Sequence, residues 1–473
     1  MGHDDTKVEE KGFGDVIYKL KSNGQEHILS FWDELDTDSK EHLVSQVSMI
    51  DFPLIKELHE KHIKDDEETA SLDPKNLEPA ECIDFPSTDQ QISYRSKAKR
   101  EGEEQLINGK VAVFIVAGGQ ASRLGIDGPK GCFGITPVKG KSLFQVHSEK
   151  IIAMQKRYGS TFPLYIMTSE ANHEETKAFF EKNDFFGLEE VHFFKQGMLP
   201  ALDSEGKLIL SKKDEIFMNP DGHGGCVQAL KESGALDHMK SKGIERIFYM
   251  QVDNPLVKVL DPVFIGYHVL EGSEMSTKVV KKAYPEEKVG VLAKSGGKTT
   301  LIEYSSLPDG LRNKEDSNGG LLFNAGNIAV HCIDVGLVER AYDASLPLHK
   351  AFKAIPYLGS DGNLVKPDSP NAYKFERFIF DILEMCNKTC NVFVERSREF
   401  APVKNKEGKD SPESSRKIMS DLYRSWLKKA GYDIPESSNV EISPKFASDP
   451  VELKRKLKER TWTIDDIENI YLG

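Results

Sequence analysis

Strand and helix patterns alternate through the middle of the chain. Short apolar runs rich in β-branched residues predict strands at Val111–Ala117, Leu164–Thr168, Val191–Phe194, Arg246–Gln251, Thr277–Lys281, Val289–Lys294, Leu322–Val330 and Asn391–Val394. Helical spacing between several of them predicts helices such as Leu143–Tyr158 and Glu174–Asn183. This alternation predicts an α/β fold, a doubly wound and mostly parallel sheet covered by helices on both faces. Ligands of such sheets bind at the carboxyl ends of the strands.

The N-terminal part, residues 1–107, has helical and polar patterns. Gln25–Leu35 has its apolar residues at helical spacing, and Glu41–Ile63 continues that pattern with a break near Pro53. Residues 65–100 are polar and contain three prolines, so we predict an irregular connection there.

Two further segments complete the predicted organisation. Gly290–Tyr304 reads as a β-hairpin that turns through Ser295–Gly297, and Phe375–Leu383 reads as an apolar helix. After a loop at 402–416, we predict a helix near Lys417–Ala430, a strand around Val440–Ile442 and a helix from Asp449. The predicted division is therefore a helical N-terminal region (1–107), a central nucleotide-binding domain (108–400) and a small C-terminal α+β module (401–473).

The most informative stretch is the glycine-rich segment 117–131, here called the nucleotide loop. It follows the Val111–Ala117 strand and contains Gly118, Gly119, Arg123 and Lys130. Glycines allow backbone N–H groups to approach a base or phosphate, and the two cations can neutralise the charge of a leaving pyrophosphate. The pattern therefore favours a nucleoside triphosphate, although an ordinary strand-to-helix turn with two solvated cations remains open.

Two common phosphate-binding motifs do not fit the nucleotide loop. A Walker A loop requires Ser or Thr after its Lys, whereas Gly131 follows Lys130. A dinucleotide fingerprint requires G-x-G-x-x-G, whereas Gly118 and Gly119 are adjacent and the next glycine is Gly125.

Composition restricts the class of partner. The chain of 473 residues has a net charge of −13, which argues against a nucleic acid or an anionic membrane surface as partner. It contains no apolar run long enough to span a membrane, and its N-terminus lacks the apolar core of a secretory signal. Its six cysteines are scattered, as in a reducing compartment, so we expect a cytoplasmic protein.

Other polar residues lie at predicted strand ends or in glycine-rich loops. Asp253 follows the Arg246–Gln251 strand, where a carboxylate could hold Mg²⁺ or cap a turn. His223 lies among three glycines in the segment 219–225, here called the glycine-histidine loop, and could contact a sugar or phosphate or simply form a turn. Glu303, Tyr304 and Asn324 are further possible sugar contacts or structural residues. Lys374 and Lys404 would not be chosen as site residues from their sequence context alone, because most lysines are simply solvated.

Ordered motifs across nearly the whole chain resemble those of eukaryotic-type UDP-N-acetylhexosamine pyrophosphorylases, within the wider group of uridylyltransferases. The matching segments are GQEHILSFWDEL, VAGGQASRLGIDGPKG, PDGHGG, QVDNPLVKVLDP, KVGVLAKS with LIEYS, LLFNAGNIAVH, LVKPDSPNAYKFERFIFD, EFAPVKN and VEISP. The resemblance implies a Rossmann-like nucleotide-diphospho-sugar transferase fold. It also implies UTP and a sugar 1-phosphate as partners, Mg²⁺ as cofactor, and neither nucleic acid nor membrane; the oligomeric state stays undetermined.

The resemblance also implies roles for individual residues. Arg123 and Lys130 would grip the triphosphate as catalytic residues, and Asp253 would bind the metal. The remaining contacts would be base contacts at Ala117, Gly118, Gly119, Gln196 and Gly222, sugar contacts at His223, Gly290, Glu303, Tyr304 and Asn324, and phosphate contacts at Lys374 and Lys404.

Three positions depart from the family pattern. Ala121 and Ser122 replace Gly and Thr in the nucleotide loop, and both changes are small. His223 replaces an Asn that contacts the sugar, and it looks like the Gly-His-Gly loop of UDP-glucose and UDP-sugar pyrophosphorylases. The reaction type is unaffected, but glucose 1-phosphate or a broad sugar range becomes the alternative to N-acetylglucosamine 1-phosphate.

The expected reaction is reversible transfer of a uridylyl group from UTP to a sugar 1-phosphate. The attacking phosphate is already an anion, so no general base is needed, and positioning with charge neutralisation carries the reaction. A nicotinamide-dependent oxidoreductase is a weaker alternative because its glycine spacing is absent. A catalytically inactive scaffold of the same fold is another, and the presence of Arg123, Lys130 and Asp253 argues against it.

Overall fold

A computed structural model describes residues 5–64, 76–459 and 466–473. The chain folds into two compact units. The N-terminal unit is drawn from Met1–Ser71, Gly197–Gly225 and Leu346–Ile379, and the sheet unit from Leu72–Gln196, Cys226–Ser345 and Phe380–Gly473. The boundaries of these two units differ from those of the three predicted regions, 1–107, 108–400 and 401–473. The three-region division stays a prediction.

The sheet unit is built on one ten-stranded sheet. Its strands are Leu77–Pro79, Val111–Val116, Leu164–Thr168, Val191–Lys195, Arg246–Gln251, Met275–Lys281, Val291–Ser295, Lys298–Ile302, Ala325–Asp334 and Thr389–Phe393. Val111–Val116 is buried between Leu164–Thr168 and Arg246–Gln251, and both pairings are parallel. The hairpin Val291–Ser295/Lys298–Ile302 and the strand Ala325–Asp334 add antiparallel pairs.

Helices pack around this sheet, and the α/β fold class predicted from the sequence is confirmed. They are Asp89–Ile107, Leu143–Tyr158, His173–Lys182, Cys226–Glu232, Ala235–Ser241, Pro262–Leu270, Asp309–Arg312, Val335–Ala344, Arg396–Glu399, Pro412–Ala430 and Pro450–Glu459. The hydrophobic core of the unit runs from Ala98 to Leu472 in sequence. It includes the C-terminal helices and the two-stranded parallel sheet of Asn439–Ile442 and Asn469–Leu472.

Three predicted segments are wrong. The helix indicated by the spacing of Gln25–Leu35 is instead two short 3₁₀ turns, Glu26–Leu29 and Trp32–Glu34. The irregular connection expected over 65–100 does not extend through 89–100, because these residues begin the helix Asp89–Ile107, which Thr88 starts with a capping box to Gln91. The buried face of this helix includes Ala98 and Gly102, and such small residues give little hydrophobic signal. The predicted helix Phe375–Leu383 is instead the end of the strand Ala372–Glu376 followed by the 3₁₀ helix Ile379–Met385.

The N-terminal unit has its own hydrophobic core. Its helices are Asp5–Ser22, Thr37–Met49 and Phe52–Glu57, joined by short 3₁₀ turns at Glu26–Leu29 and Trp32–Glu34 and followed by a π-helical segment, Leu58–Lys64. Short antiparallel strands complete it: Met198–Pro200, Leu210–Lys212, Glu215–Ile216, Met218–Pro220, His349–Lys353, Tyr357–Leu358, Leu364–Val365 and Ala372–Glu376. No helix in the described parts of either unit is long and apolar enough to cross a membrane.

Candidate active site

The nucleotide loop leaves the carboxyl end of the buried strand Val111–Val116. Val116 pairs with Gln251, so the residues after these two strands reach the same edge of the sheet. The Val252 N–H continues this pairing by donating to the Val116 carbonyl at 3.1 Å. Parallel register therefore brings Ala117–Gly119 and Asp253 to one edge, as the order of the strands predicts.

Lys130 and Asp253 meet at this edge. Lys130 Nζ lies 3.8 Å from Asp253 Oδ2, and their side chains are only 20% and 11% exposed. The backbone N–H of Lys130 donates to the Gly119 carbonyl at 3.1 Å, which folds the loop back on itself. A cation and a carboxylate are thus held side by side against bare glycine backbone, with their charged atoms slightly too far apart for a hydrogen bond.

Gly118 and Gln196 are also brought together. A Cβ added at Gly118 would lie 2.3 Å from the Gln196 amide oxygen, so a larger residue there would displace the end of that side chain. The strand Val191–Lys195 places Gln196, whose N–H donates to the Thr168 carbonyl at 2.8 Å. These two predicted base contacts therefore share one small region beside the nucleotide loop.

The side chains of Arg123 and Lys404 are exposed to solvent. Arg123 lies in the 3₁₀ turn Ser122–Leu124 and forms no ion pair with any residue that the structure describes. Lys404 follows Val403, whose N–H donates to the Asp253 carbonyl at 2.9 Å, so its backbone lies near the metal-binding candidate.

The residues predicted to contact the sugar from the hairpin lie around its base. Val291 pairs with Ile302 and with Gly326, so Gly290 and Glu303 extend from neighbouring strands at one end of the hairpin. Asn327 donates its N–H to the Gly290 carbonyl at 2.9 Å, and the Asn324 carbonyl accepts the Lys282 N–H. Because Val330 pairs with Met250, this end of the Ala325–Asp334 strand points toward the edge that carries Asp253. Tyr304 is 42% exposed beside this group.

Gly222, His223 and Lys374 belong to the N-terminal unit. Gly222 has a φ of +86°, and a Cβ there would collide with the backbone of Arg377, so this position requires glycine. His223 Nδ1 accepts the Ile379 N–H at 3.1 Å, and its ring lies 5.4 Å from the Phe378 ring. The Lys374 ammonium sits 4.9 Å from the centre of the Phe217 ring.

Desolvation sets the protonation state of His223, and a hydrogen bond sets its tautomer. Desolvation of the ring, assisted by nearby His349, lowers its pKa to about 4. The ring is therefore neutral near pH 7, and because Nδ1 accepts a hydrogen bond, Nε2 carries the hydrogen. A neutral N–H donor of this kind suits a hydroxyl or carbonyl oxygen better than it suits a phosphate.

The sequence interpretation missed several residues that hold the nucleotide loop and the Asp253 turn. Asn172 is buried and donates to the Ala117 carbonyl at 2.9 Å, and Asn254 donates to the Glu399 carbonyl at 2.8 Å while accepting the Ala401 N–H at 3.0 Å. Lys150 donates to the Val257 carbonyl at 2.7 Å, and desolvation lowers its pKa to about 7. Lys406 packs beside Gly125, where it adds a cation near Arg123.

Lys150 lines a separate cavity of about 1010 Å³ in the sheet unit. This cavity is lined by the helix Leu143–Tyr158, the segment 256–264 and the C-terminal helices, and by none of the predicted site residues. Within the sheet unit, the predicted residues instead lie around the strand edge that carries Asp253.

Comparison with known proteins decides the family. A family model described as UTP--glucose-1-phosphate uridylyltransferase matches residues 54–441. The chain belongs to this UDPGP family.

Relatives within the family are similar over almost their whole length. The mouse UDP-N-acetylhexosamine pyrophosphorylase-like protein 1 is 36% identical over 91% of this chain and 88% of its own length. The UDP-N-acetylglucosamine pyrophosphorylase of Saccharomyces cerevisiae is 36% identical over 90% of this chain and 93% of its own. The crystal structure of the Trypanosoma brucei uridine diphosphate N-acetylglucosamine pyrophosphorylase with an inhibitor shares the fold, with a TM-score of 0.82, 27% identity and 97% coverage of each chain. The resemblance inferred from the motifs is confirmed.

Proposed function

We propose that this UDPGP-family chain is a uridylyltransferase that makes UDP-N-acetylglucosamine and pyrophosphate from UTP and N-acetylglucosamine 1-phosphate. The observation that carries the proposal is the Lys130–Asp253 pair, 3.8 Å apart beside the glycine backbone of the nucleotide loop. The names of relatives at 36% identity over about nine-tenths of the chain support the acetamido sugar.

In this proposal, the residues of the nucleotide loop bind and orient UTP. Gly118 and Gln196 would hold the uracil, because the missing Cβ leaves both backbone and amide free to face a flat base. Lys130 and Arg123 would lie along the triphosphate and stabilise the charge that accumulates as pyrophosphate leaves the α-phosphorus. The nucleophile is a phosphate oxygen that is already ionised, so the protein has to align it rather than remove a proton.

Asp253 suits a magnesium ion. Its carboxylate offers hard oxygen ligands, and it is 8% exposed at an edge open to substrate phosphates. Mg²⁺ commonly takes only one or two protein carboxylates and completes its shell with water and phosphate oxygens, so a single Asp is sufficient. When bound there, the ion would supply positive charge shared by both phosphate groups.

A second candidate differs only in the sugar. The matching family model is described by glucose 1-phosphate, and His223 replaces the Asn expected for an acetamido-sugar enzyme. A neutral Nε2–H donor at this place can bind a hydroxyl oxygen as readily as an acetamido carbonyl, so glucose 1-phosphate or a broader range of sugars is the alternative.

One assay tests the reaction and the sugar together. Pyrophosphate release is measured with Mg²⁺, a fixed concentration of UTP, and a panel that contains N-acetylglucosamine 1-phosphate, glucose 1-phosphate and no sugar. The proposal expects release that requires a sugar 1-phosphate, with the highest kcat/KM for the N-acetylglucosamine compound. No release with any sugar 1-phosphate would contradict the uridylyltransferase assignment, and preference for glucose 1-phosphate would establish the second candidate.

A further inference from the structure

Three side chains with metal-ligand chemistry converge in the sheet unit, away from the proposed active site. Glu190 lies just before the strand Val191–Lys195, His192 is on that strand, and His238 is on the helix Ala235–Ser241. One ligand atom from each lies within 4.8 Å of the others. The proposed uridylyltransferase reaction uses none of the three.

The distances suit a tetrahedral metal ion. Glu190 Oε1 lies 3.3 Å from His192 Nε2 and 3.5 Å from His238 Nε2. Zinc bonds of about 2.0–2.2 Å in a tetrahedron place neighbouring ligand atoms roughly 3.3–3.6 Å apart. Two sides of the required triangle are therefore already formed, and the third, between the two imidazoles, needs at most a small side-chain rotation.

The surroundings orient the ligands. The Tyr165 hydroxyl lies 2.7 Å from His238 Nδ1, which turns Nε2 toward Glu190. Tyr165 also pairs with His192 in the parallel sheet, and their rings stack at 4.9 Å. A hydrogen bond from the far ring nitrogen of a histidine to an oxygen is the usual outer contact of a metal ligand, because it fixes the ring and the tautomer.

A lysine already faces the carboxylate of this group. The Lys242 ammonium lies 3.5 Å from Glu190 Oε1 and has a side chain that is 51% exposed. It neutralises Glu190 from solvent, and an ion entering the group would compete with it.

We infer that Glu190, His192 and His238 form a binding site for a divalent transition metal of the Zn²⁺ type. Two imidazole nitrogens and one carboxylate oxygen favour such an ion over Mg²⁺, which prefers oxygen ligands. All three side chains are half-buried, at 20%, 37% and 33% exposure, so water can occupy a fourth position. The ion would join the strand Val191–Lys195, which precedes Gln196, to the helix Ala235–Ser241 of the same unit.

The test uses the full-length protein, stripped with a chelator and titrated with Zn²⁺ against a chromogenic competitor. We expect one Zn²⁺ per chain, and we expect the affinity to fall at least tenfold in His192→Gln and Glu190→Gln. Removal of an outer contact typically weakens metal binding about 10- to 100-fold, so Tyr165→Phe should also bind more weakly. His42→Gln removes an exposed imidazole elsewhere and should leave the affinity unchanged.

Two further variants distinguish binding at this site from a loss of folding and from binding at the active site. Lys242→Gln removes the competing ammonium and should bind Zn²⁺ more tightly than the wild type, which a loss of folding cannot mimic. Asp253→Asn should retain the same Zn²⁺ stoichiometry, because the proposed active-site metal is a different site. Equal affinity in the wild type, His192→Gln and Lys242→Gln, or no stoichiometric binding at all, would overturn the inference.

Discussion

The nucleotide loop and the glycine-histidine loop are both rich in glycine, yet their polar side chains differ in exposure and in kind. The nucleotide loop carries Lys130 beside Asp253 at a sheet edge, with Arg123 exposed nearby. The glycine-histidine loop also holds an ion pair, with Arg377 Nη1 3.6 Å from Asp221 Oδ2, but these side chains are only 13% and 5% exposed. It also contains the neutral imidazole of His223, which accepts the Ile379 N–H and packs on Phe378. Glycine content makes room for a ligand in both loops, whereas the neighbouring side chains decide what each loop can recognise. We therefore propose that the first loop binds phosphate groups and that the second influences sugar preference.

Removing the charge of Lys130 should cause the largest loss of activity among the variants of the two loops. We expect Lys130→Ala to lower kcat about 10²–10³-fold or more, the scale seen when a single electrostatic donor is lost. Steady-state pyrophosphate release measures this effect. Lys110→Ala, which removes a surface lysine paired with Glu245, is the matched control and should keep wild-type turnover. Turnover of UTP by Lys130→Ala at the wild-type rate would refute the role of this loop.

The turn that carries Asp253 should respond to loss of its side-chain support. Asn254→Ala leaves the Ala401 N–H and the Glu399 carbonyl without their buried partner, which we expect to cost about 1–3 kcal/mol of unfolding free energy. Because the turn would shift, the Mg²⁺ concentration for half-maximal rate should rise by about tenfold (order of magnitude). Urea unfolding and a magnesium titration measure the two effects. An unchanged magnesium requirement would show that Asn254 has no part in placing Asp253.

Substitution of His223 should change the sugar preference without abolishing the reaction. We expect His223→Asn to raise the kcat/KM ratio of N-acetylglucosamine 1-phosphate to glucose 1-phosphate by about tenfold, the size of one polar contact of about 1.4 kcal/mol. The two sugar 1-phosphates are compared at a fixed UTP concentration. If the ratio stays constant, this residue does not set the sugar preference.

The desolvated, neutral ring of His223 should also make the free energy of unfolding depend on pH in the acid range. Its pKa is lowered to about 4, below the unfolded value near 6.5, so the unfolded chain binds more protons between these pH values. This contribution to stability is complete above pH 6.5 and is lost as the pH falls toward 4, by up to about 3 kcal/mol. Urea unfolding at pH 7 and pH 5 should therefore show a smaller acid loss in His223→Asn than in the wild type. If both proteins lose the same stability between pH 7 and pH 5, the His223 ring is solvated and its pKa is not lowered.

The smallest effect is expected at the two conservative departures in the nucleotide loop. Ala121→Gly and Ser122→Thr restore the family residues without changing charge, so the KM for UTP should change by less than about threefold, within roughly 0.6 kcal/mol. The initial rate as a function of UTP concentration measures it. A change of tenfold or more would show that the backbone of this loop is tuned to its own sequence.

The sequence predicted the parts of the fold that depend on strong local patterns. Leu143–Tyr158 and Leu164–Thr168 have the predicted bounds because each combines a clear period with end signals. The helix Asp89–Ile107 was missed because Gly102 packs against the backbone of Pro262, and tight packing of small residues leaves no hydrophobic stripe. Local pattern therefore predicts an element when large apolar side chains fill its core face. It fails when small residues such as glycine form that face.

The same distinction applies to the candidate site. The meeting of Lys130 with Asp253 follows from two neighbouring parallel strands. The strand pattern predicted a mostly parallel sheet with ligands at its carboxyl ends, but not which strands are neighbours. Asn172 and Asn254 were missed because a buried amide is recognisable only from its partners, and these lie far along the chain. The tautomer of His223 likewise depends on Ile379, 156 residues away.

The division of roles between the two loops can be tested in one experiment. Lys130→Ala and His223→Asn are each assayed for pyrophosphate release with N-acetylglucosamine 1-phosphate and with glucose 1-phosphate, at saturating Mg²⁺ and a fixed UTP concentration. We predict that Lys130→Ala lowers kcat/KM for both sugars by the same large factor, whereas His223→Asn changes their ratio. A Lys130→Ala enzyme with wild-type rates, or one that changes the sugar ratio while His223→Asn does not, would contradict the account.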